Sequence, residues 1–246
     1  MSPITKSYRR AAEGMTIVEH LKEARRRLIV SIASVFILGT FAFIDYNQIL
    51  GWLRRPYCET QPTSCSFYVL APLDGLTLRI KIAIFGGLLL ATPVIFYQLW
   101  RFITPGLRDR EKRYVIPFLA TSVSFFLGGC IVAYFTFEHS LKFLQSIGGN
   151  DLQAHYNPVS YLNLILLIML VFGIVFEFPV VLVTLELLNI VTPNQLLRAT
   201  RWAIIAVTVV SAVITPSGDP FSMLVMASAL LIFYYGAIGF GKLIGK

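Results

Sequence analysis

Thirteen carboxylates, three histidines and three cysteines are the first candidates for proton transfer, metal ligation or covalent chemistry in this chain of 246 residues. Their spacing supplies little of it. His20, His139 and His155 share no short spacing with Cys or carboxylates, so no metal site and no bound cofactor are expected. There is no HExxH, GxSxG or GxxxxGK[ST], so neither metalloprotease, serine hydrolase nor phosphate-cradling chemistry is supported, and the chain reads as a non-enzyme. What remains is placement. Glu177 alone among the carboxylates lies deep in a long apolar run, two residues before Pro179, and an ionisable group in hydrocarbon is expensive enough to need a reason. Two readings are open: a polar anchor or protonatable switch that meets a partner helix, and a glutamic acid bonded to carbonyls that the proline frees. Glu186, nine residues on, reads as a solvated carboxylate at the membrane surface.

Two further acids sit inside basic strings. Glu23 lies in His20-Leu21-Lys22-Glu23-Ala24-Arg25-Arg26-Arg27-Leu28, and Glu111 in Leu107-Arg108-Asp109-Arg110-Glu111-Lys112-Arg113. On residue chemistry alone these are intrahelical ion pairs of a few tenths of a kcal/mol. Cys58 and Cys65 enclose six residues, a spacing that permits a disulfide without requiring one. Cys130 falls in an apolar run and reads as a small buried hydrophobe.

The elements that carry these residues are membrane spans. At 56% hydrophobic and 14% charged, with mean hydropathy +0.71, the chain has more apolar surface than one soluble core can hide. Six runs, at about 28–44, 77–100, 114–137, 160–190, 201–214 and 220–240, predict an all-α polytopic protein with a single domain over 1–246. No cleavable leader is visible before the first run, which is expected to be retained. Residues 1–27 predict an amphipathic helix, with a capping box at Thr16 and Glu19 and an apolar face of Ile17, Leu21, Ala24 and Leu28. Of 21 Lys and Arg, only Arg54, Arg55, Arg79, Lys81 and Lys142 fall on one side of the spans. The other sixteen place both termini in the cytoplasm by the positive-inside rule. Topology, rather than a nucleic-acid partner, accounts for the net charge of +8. Within the fourth run Pro179 predicts a kink or tilt. The fifth keeps only the 13 apolar residues from Trp202 to Ile214 before Pro216, about 20 Å of rise against a core of roughly 30 Å, which predicts a locally thinned bilayer. The first outer loop, about Asp45 to Thr77, is long and should fold as a cap.

With these residues in place the chain resembles the TatC family, the multi-spanning subunit of the twin-arginine protein translocase, over nearly its whole length. The most specific element is Phe96-Tyr97-Gln98-Leu99-Trp100-Arg101-Phe102-Ile103-Thr104-Pro105-Gly106-Leu107 with Glu111 four residues on, similar to the family's first cytoplasmic loop. His20 to Leu28 resembles the family's HLxELRxRL, with Ala24 in place of the usual leucine. Phe176-Glu177-Phe178-Pro179 resembles its fourth-span glutamate and proline, Thr215-Pro216 with Asp219 its last outer loop, and Pro56 the proline of its first outer loop. Ser217-Gly218 puts two residues before Asp219 where some members have one.

The resemblance implies a concave bundle with short fifth and sixth spans in the bacterial cytoplasmic membrane. It implies a receptor that binds Arg-Arg signal peptides of folded cargo, recruits TatA-type and TatB-type single-span partners, assembles as a homo- and hetero-oligomer in contact with membrane lipid, and uses the proton-motive force. It moves Glu23 and Glu111 from ion pairs to peptide-binding carboxylates, since two guanidinium groups call for bidentate acceptors. Arg25, Leu21 and Phe102 would flank the peptide. Glu177 would face a hollow and a partner helix, while Pro56, Pro105, Pro179 and Asp219 would be structural. The rival reading is a secondary transporter, but it calls for more intramembrane charge and paired broken helices than the chain shows.

Overall fold

The computed structural model describes residues 17–60, 65–103, 115–147, 156–215 and 218–244, and among these there is no strand. The helices are α1 Ile17–Ile44, α2 Tyr46–Thr60, α3 Asp74–Ile103, α4 Val115–Ile147, α5 Pro158–Val175, α6 Phe178–Leu187, α7 Pro193–Ile214 and α8 Pro220–Leu243. Six units are long and apolar enough to cross a membrane: α1, α3, α4, α5 continued by α6, α7, and α8. Several boundaries move outward from the sequence expectation. The second span starts at Asp74, and α4 runs on to Ile147, well past the expected end at 137. The helix of the fifth span, α7, has 22 residues because its first turns accept Asn194, Gln195, Arg198 and Arg201 ahead of the apolar stretch. Its full length rises about 33 Å, so the helix itself crosses an ordinary bilayer although its apolar part stays short. It and α8, with 24 residues, are the shortest of the six spans.

Helix starts follow local chemistry. Asn157, Thr192 and Asp219 each cap a helix whose next residue is proline, at Pro158, Pro193 and Pro220. The side chain satisfies orphan N–H groups, and the proline, needing no partner there, presets φ. Thr192 and Gln195 complete a reciprocal capping box. At the other end of the turn before α7, Asn189 takes the left-handed φ of 56° that lets α6 stop.

In hydrocarbon, helices gain little from hiding apolar surface and associate instead by close packing. The crossing of α1 and α3 shows this: a Cβ on Gly87 would lie 2.5 Å from the Val35 carbonyl oxygen and 2.8 Å from Gly39 Cα. The crossing of α4 and α5 repeats it, since a Cβ on Gly129 would meet the Phe172 carbonyl oxygen at 2.6 Å. The fourth span is half buried, against 11% for α1 and α7, which makes α5 the centre of the bundle and those two its margins.

The segment between the first two spans packs as a cap over α4 and α5, and most of its described residues are helical. Pro56 sits inside α2, where it has no N–H to give the Trp52 carbonyl. That carbonyl instead accepts the hydroxyl of Tyr134 on α4 at 2.9 Å. Tyr161 of α5 donates to the Leu53 carbonyl at 2.7 Å, and the fully buried Tyr57 stacks on Phe67 with centroids 5.2 Å apart. Loss of water around Tyr57 pushes its phenol above the ordinary value. Cys58 and Cys65 are bonded, with Cα atoms 5.0 Å apart. Beyond them Asp74 accepts the N–H groups of Leu70 and Ala71 and the Asn157 side chain at 3.0 Å.

Candidate functional site

Polar side chains converge in two places. The first is where α1 meets the end of α3. Positions 20, 23 and 27 lie on one face of a helix, as do 98 and 102, and these faces oppose each other. The His20 ring stacks on Phe102 with centroids 4.3 Å apart. Glu23 forms an ion pair with Arg27 one turn later, and Arg27 also reaches Gln98 Oε1 at 3.5 Å. Arg101 donates to the Tyr97 hydroxyl at 3.2 Å, and its charge adds to that of Arg27 in the field on Glu23. The carboxylate is thus surrounded by cationic groups while remaining open to solvent. Leu21 and Arg25 are exposed on the same helix. Glu111 and Pro105 lie outside the described residues.

The second place is the break in the fourth span. Pro179 cannot bond Val175, so the helix stops there; Glu177 N instead reaches back to the Ile174 carbonyl at 3.1 Å. Glu177 stands at the break as the first residue before α6, with no side-chain cap bond of its own. It lines a hollow of about 460 Å³ whose other walls include Ile174, Val181, Ala206 and Val210, between the fourth and fifth spans, with Leu230 of α8. Its Oε1 is buried without a hydrogen-bond partner, and Ser122 of α4 lies beside its carboxyl group. Ser122 in turn accepts from Trp100 Nε1 at 3.2 Å. Polar groups at the end of α3 and on α4 therefore stand next to the fourth-span glutamate.

Glu186 corrects the sequence reading. Instead of facing solvent it is 1% exposed, and neither carboxylate oxygen has a hydrogen-bond partner among the described residues. It lies over Gly241 of α8 and Pro193 of α7. The span ends at Leu187, and the chain then turns so tightly into α7 that these helices cover the last turn of α6.

Against known proteins, residues 19–228 match the family model described as Sec-independent protein translocase protein (TatC). The chain is 37% identical to the Sec-independent protein translocase protein TatC of Aquifex aeolicus over 93% of this chain and 95% of that one. It is 35% identical to the protein of the same name from Frankia casuarinae, over 93% of this chain and 66% of the relative. A crystal structure of the twin arginine translocase receptor TatC superposes with a TM-score of 0.75 at 36% identity, covering 93% of this chain and all of that one. The chain belongs to the TatC family.

It is therefore a multi-pass membrane component of the Sec-independent protein translocase, a transport family without enzymatic chemistry. The all-α, six-span reading stands as expected. Within the TatC fold the structure brings Glu23 and Phe102 together, sets Glu177 on the wall of a hollow, and gives Asp219 a defined task. Asp219, fully buried, accepts Ser222 N at 2.7 Å and caps α8. Sequence reasoning gave no role to His20, Arg27, Gln98, Trp100 or Ser122. The first four stand inside the two strings that carry the TatC resemblance, so a signal was present. Ser122 had none, being one hydroxyl among the polar residues of an apolar run.

Proposed function

We propose that this chain is the receptor subunit of the translocase. It binds Arg-Arg signal peptides of folded cargo on the cytoplasmic face and recruits TatA-type and TatB-type single-span proteins for export driven by the proton-motive force. Both termini lie in the cytoplasm of a bacterial cell, and the subunit works in an oligomer. The observation that carries this reading is the setting of Glu23, a solvent-accessible carboxylate already bonded to one guanidinium, with the His20–Phe102 stack beside it. An incoming signal-peptide arginine replaces Arg27 on the carboxylate with like-for-like charge-assisted bonds, while Arg27 keeps Gln98 as an acceptor. Glu111 supplies the second acceptor. Phe102 and Leu21 give apolar contact, Arg25 repels unselective cations, and Pro105 shapes the loop.

Glu177 is the docking group for a polar residue of a single-span partner, since it lines the hollow beside α7 and carries a carboxylate oxygen with no hydrogen-bond partner. Photocrosslinkers placed singly at Phe102 and at Val210 test both halves. Phe102 should capture an Arg-Arg signal peptide and Val210 a single-span partner. Capture of the peptide from Val210 alone, with none from Phe102, would reverse the assignment.

A further inference from the structure

A second groove, of about 670 Å³, runs between α1 and α3, away from the hollow of Glu177. Ser31, Phe36, Thr40 and Phe43 form its α1 wall and Ile80 and Ile84 part of its α3 wall. The lining is apolar apart from two hydroxyls, and that of Thr40 is committed to the Phe36 carbonyl at 3.1 Å. At the α2 end stands Arg79. Its guanidinium lies 5.5 Å from the Phe43 ring centroid and 5.0 Å from that of Tyr46, within cation–π range of both. Phe43 is itself groove wall, so the cation is fixed at the groove's mouth. Stacking engages the face of a guanidinium and leaves its N–H edge free for a planar or tetrahedral anion. Arg79 is exposed, and no ion pair holds it among the described residues.

Length decides what fits. From Ser31 to Phe43 the α1 wall rises about 18 Å, and from Ile80 to Ile95 the α3 wall about 22 Å, enough for an extended acyl chain but short of the roughly 30 Å that a spanning helix of a partner occupies. We infer that the groove holds one phospholipid of the leaflet on the α2 side, with an acyl chain between α1 and α3 and its phosphate on Arg79. The two halves of the ligand meet the two halves of the site: a chain-length apolar trough, and a stacked cation at its open end.

Native mass spectrometry of the full-length protein in detergent, titrated with phosphatidylglycerol, tests this. One lipid should bind ahead of all others. Arg79→Ala should weaken that first binding about tenfold or more, the loss expected for a charge-assisted phosphate contact. Ile84→Trp, which fills the trough, should weaken it comparably, with Thr40→Trp as a second filler should the first lower the melting temperature. Arg54→Ala, on the exposed surface of α2, should leave it unchanged. The inference is overturned if no first lipid stands out, if Arg79→Ala binds like the parent, if both fillers bind like the parent, or if Arg54→Ala weakens binding as much as Arg79→Ala.

Discussion

A carboxylate that rests on an arginine of its own chain is prepared for another arginine, because exchange leaves the count and kind of hydrogen bonds nearly unchanged. Glu23 in its pair with Arg27 has this arrangement. Glu23→Ala should lower retention of an Arg-Arg signal peptide by about tenfold or more, as loss of a charge-assisted acceptor does; fluorescence anisotropy of a labelled peptide in detergent measures it. Glu186 gives the opposite kind of prediction. It is buried with both oxygens unpartnered, so an apolar side chain of similar length removes a desolvated polar group and loses nothing. Glu186→Met should stabilise the protein by about 1–3 kcal/mol, read as a raised midpoint of thermal unfolding in detergent. The contrast marks what was legible at this scale. Glu23 could be read from its string and Glu177 from its depth in an apolar run. The burial of Glu186 could not, because it depends on Gly241, 55 positions later, leaving room for a carboxylate.

Elements were legible where one residue dictates the backbone and obscure where a partner does. Pro179 announced the break between α5 and α6, whereas the caps Asn157 and Thr192 went unread and the helices they start begin earlier than hydropathy placed them. The cap was expected as a folded loop, yet it is helical straight through Pro56, because Tyr134 of another span takes the carbonyl that the proline leaves unbonded. Tyr161→Phe should cost about 1 kcal/mol by stranding the Leu53 carbonyl in a buried setting, measured by denaturation in mixed micelles. Replacing Gly129 by leucine is more severe, since the new side chain meets the backbone of α5 at Phe172 rather than a movable side chain. A loss of about 1–3 kcal/mol or more is expected, with reduced yield of folded protein as the accompanying sign.

At the scale of the whole molecule, hydropathy carried the six spans, because a bilayer leaves helices few ways to satisfy their backbones, and the uneven placement of Lys and Arg is what supports the proposed orientation. The same reasoning set the start of the fifth span, α7, about eight residues late, because its polar first turns add length that a hydropathy count omits. Orientation is tested by cysteines introduced singly at Lys22 and Asn47. The first should react with an impermeant maleimide only after the cells are opened, the second in intact cells, and the reverse pattern would turn the molecule over. The central claim is selective binding of paired arginines through Glu23. The most direct measurement is retention, by detergent-solubilised protein, of a synthetic signal peptide bearing Arg-Arg beside its Lys-Lys counterpart, for the parent and for Glu23→Ala. The parent should hold the Arg-Arg peptide and release the other, and the variant should hold neither. Equal retention of both peptides by the parent, or undiminished selectivity in Glu23→Ala, would contradict the account.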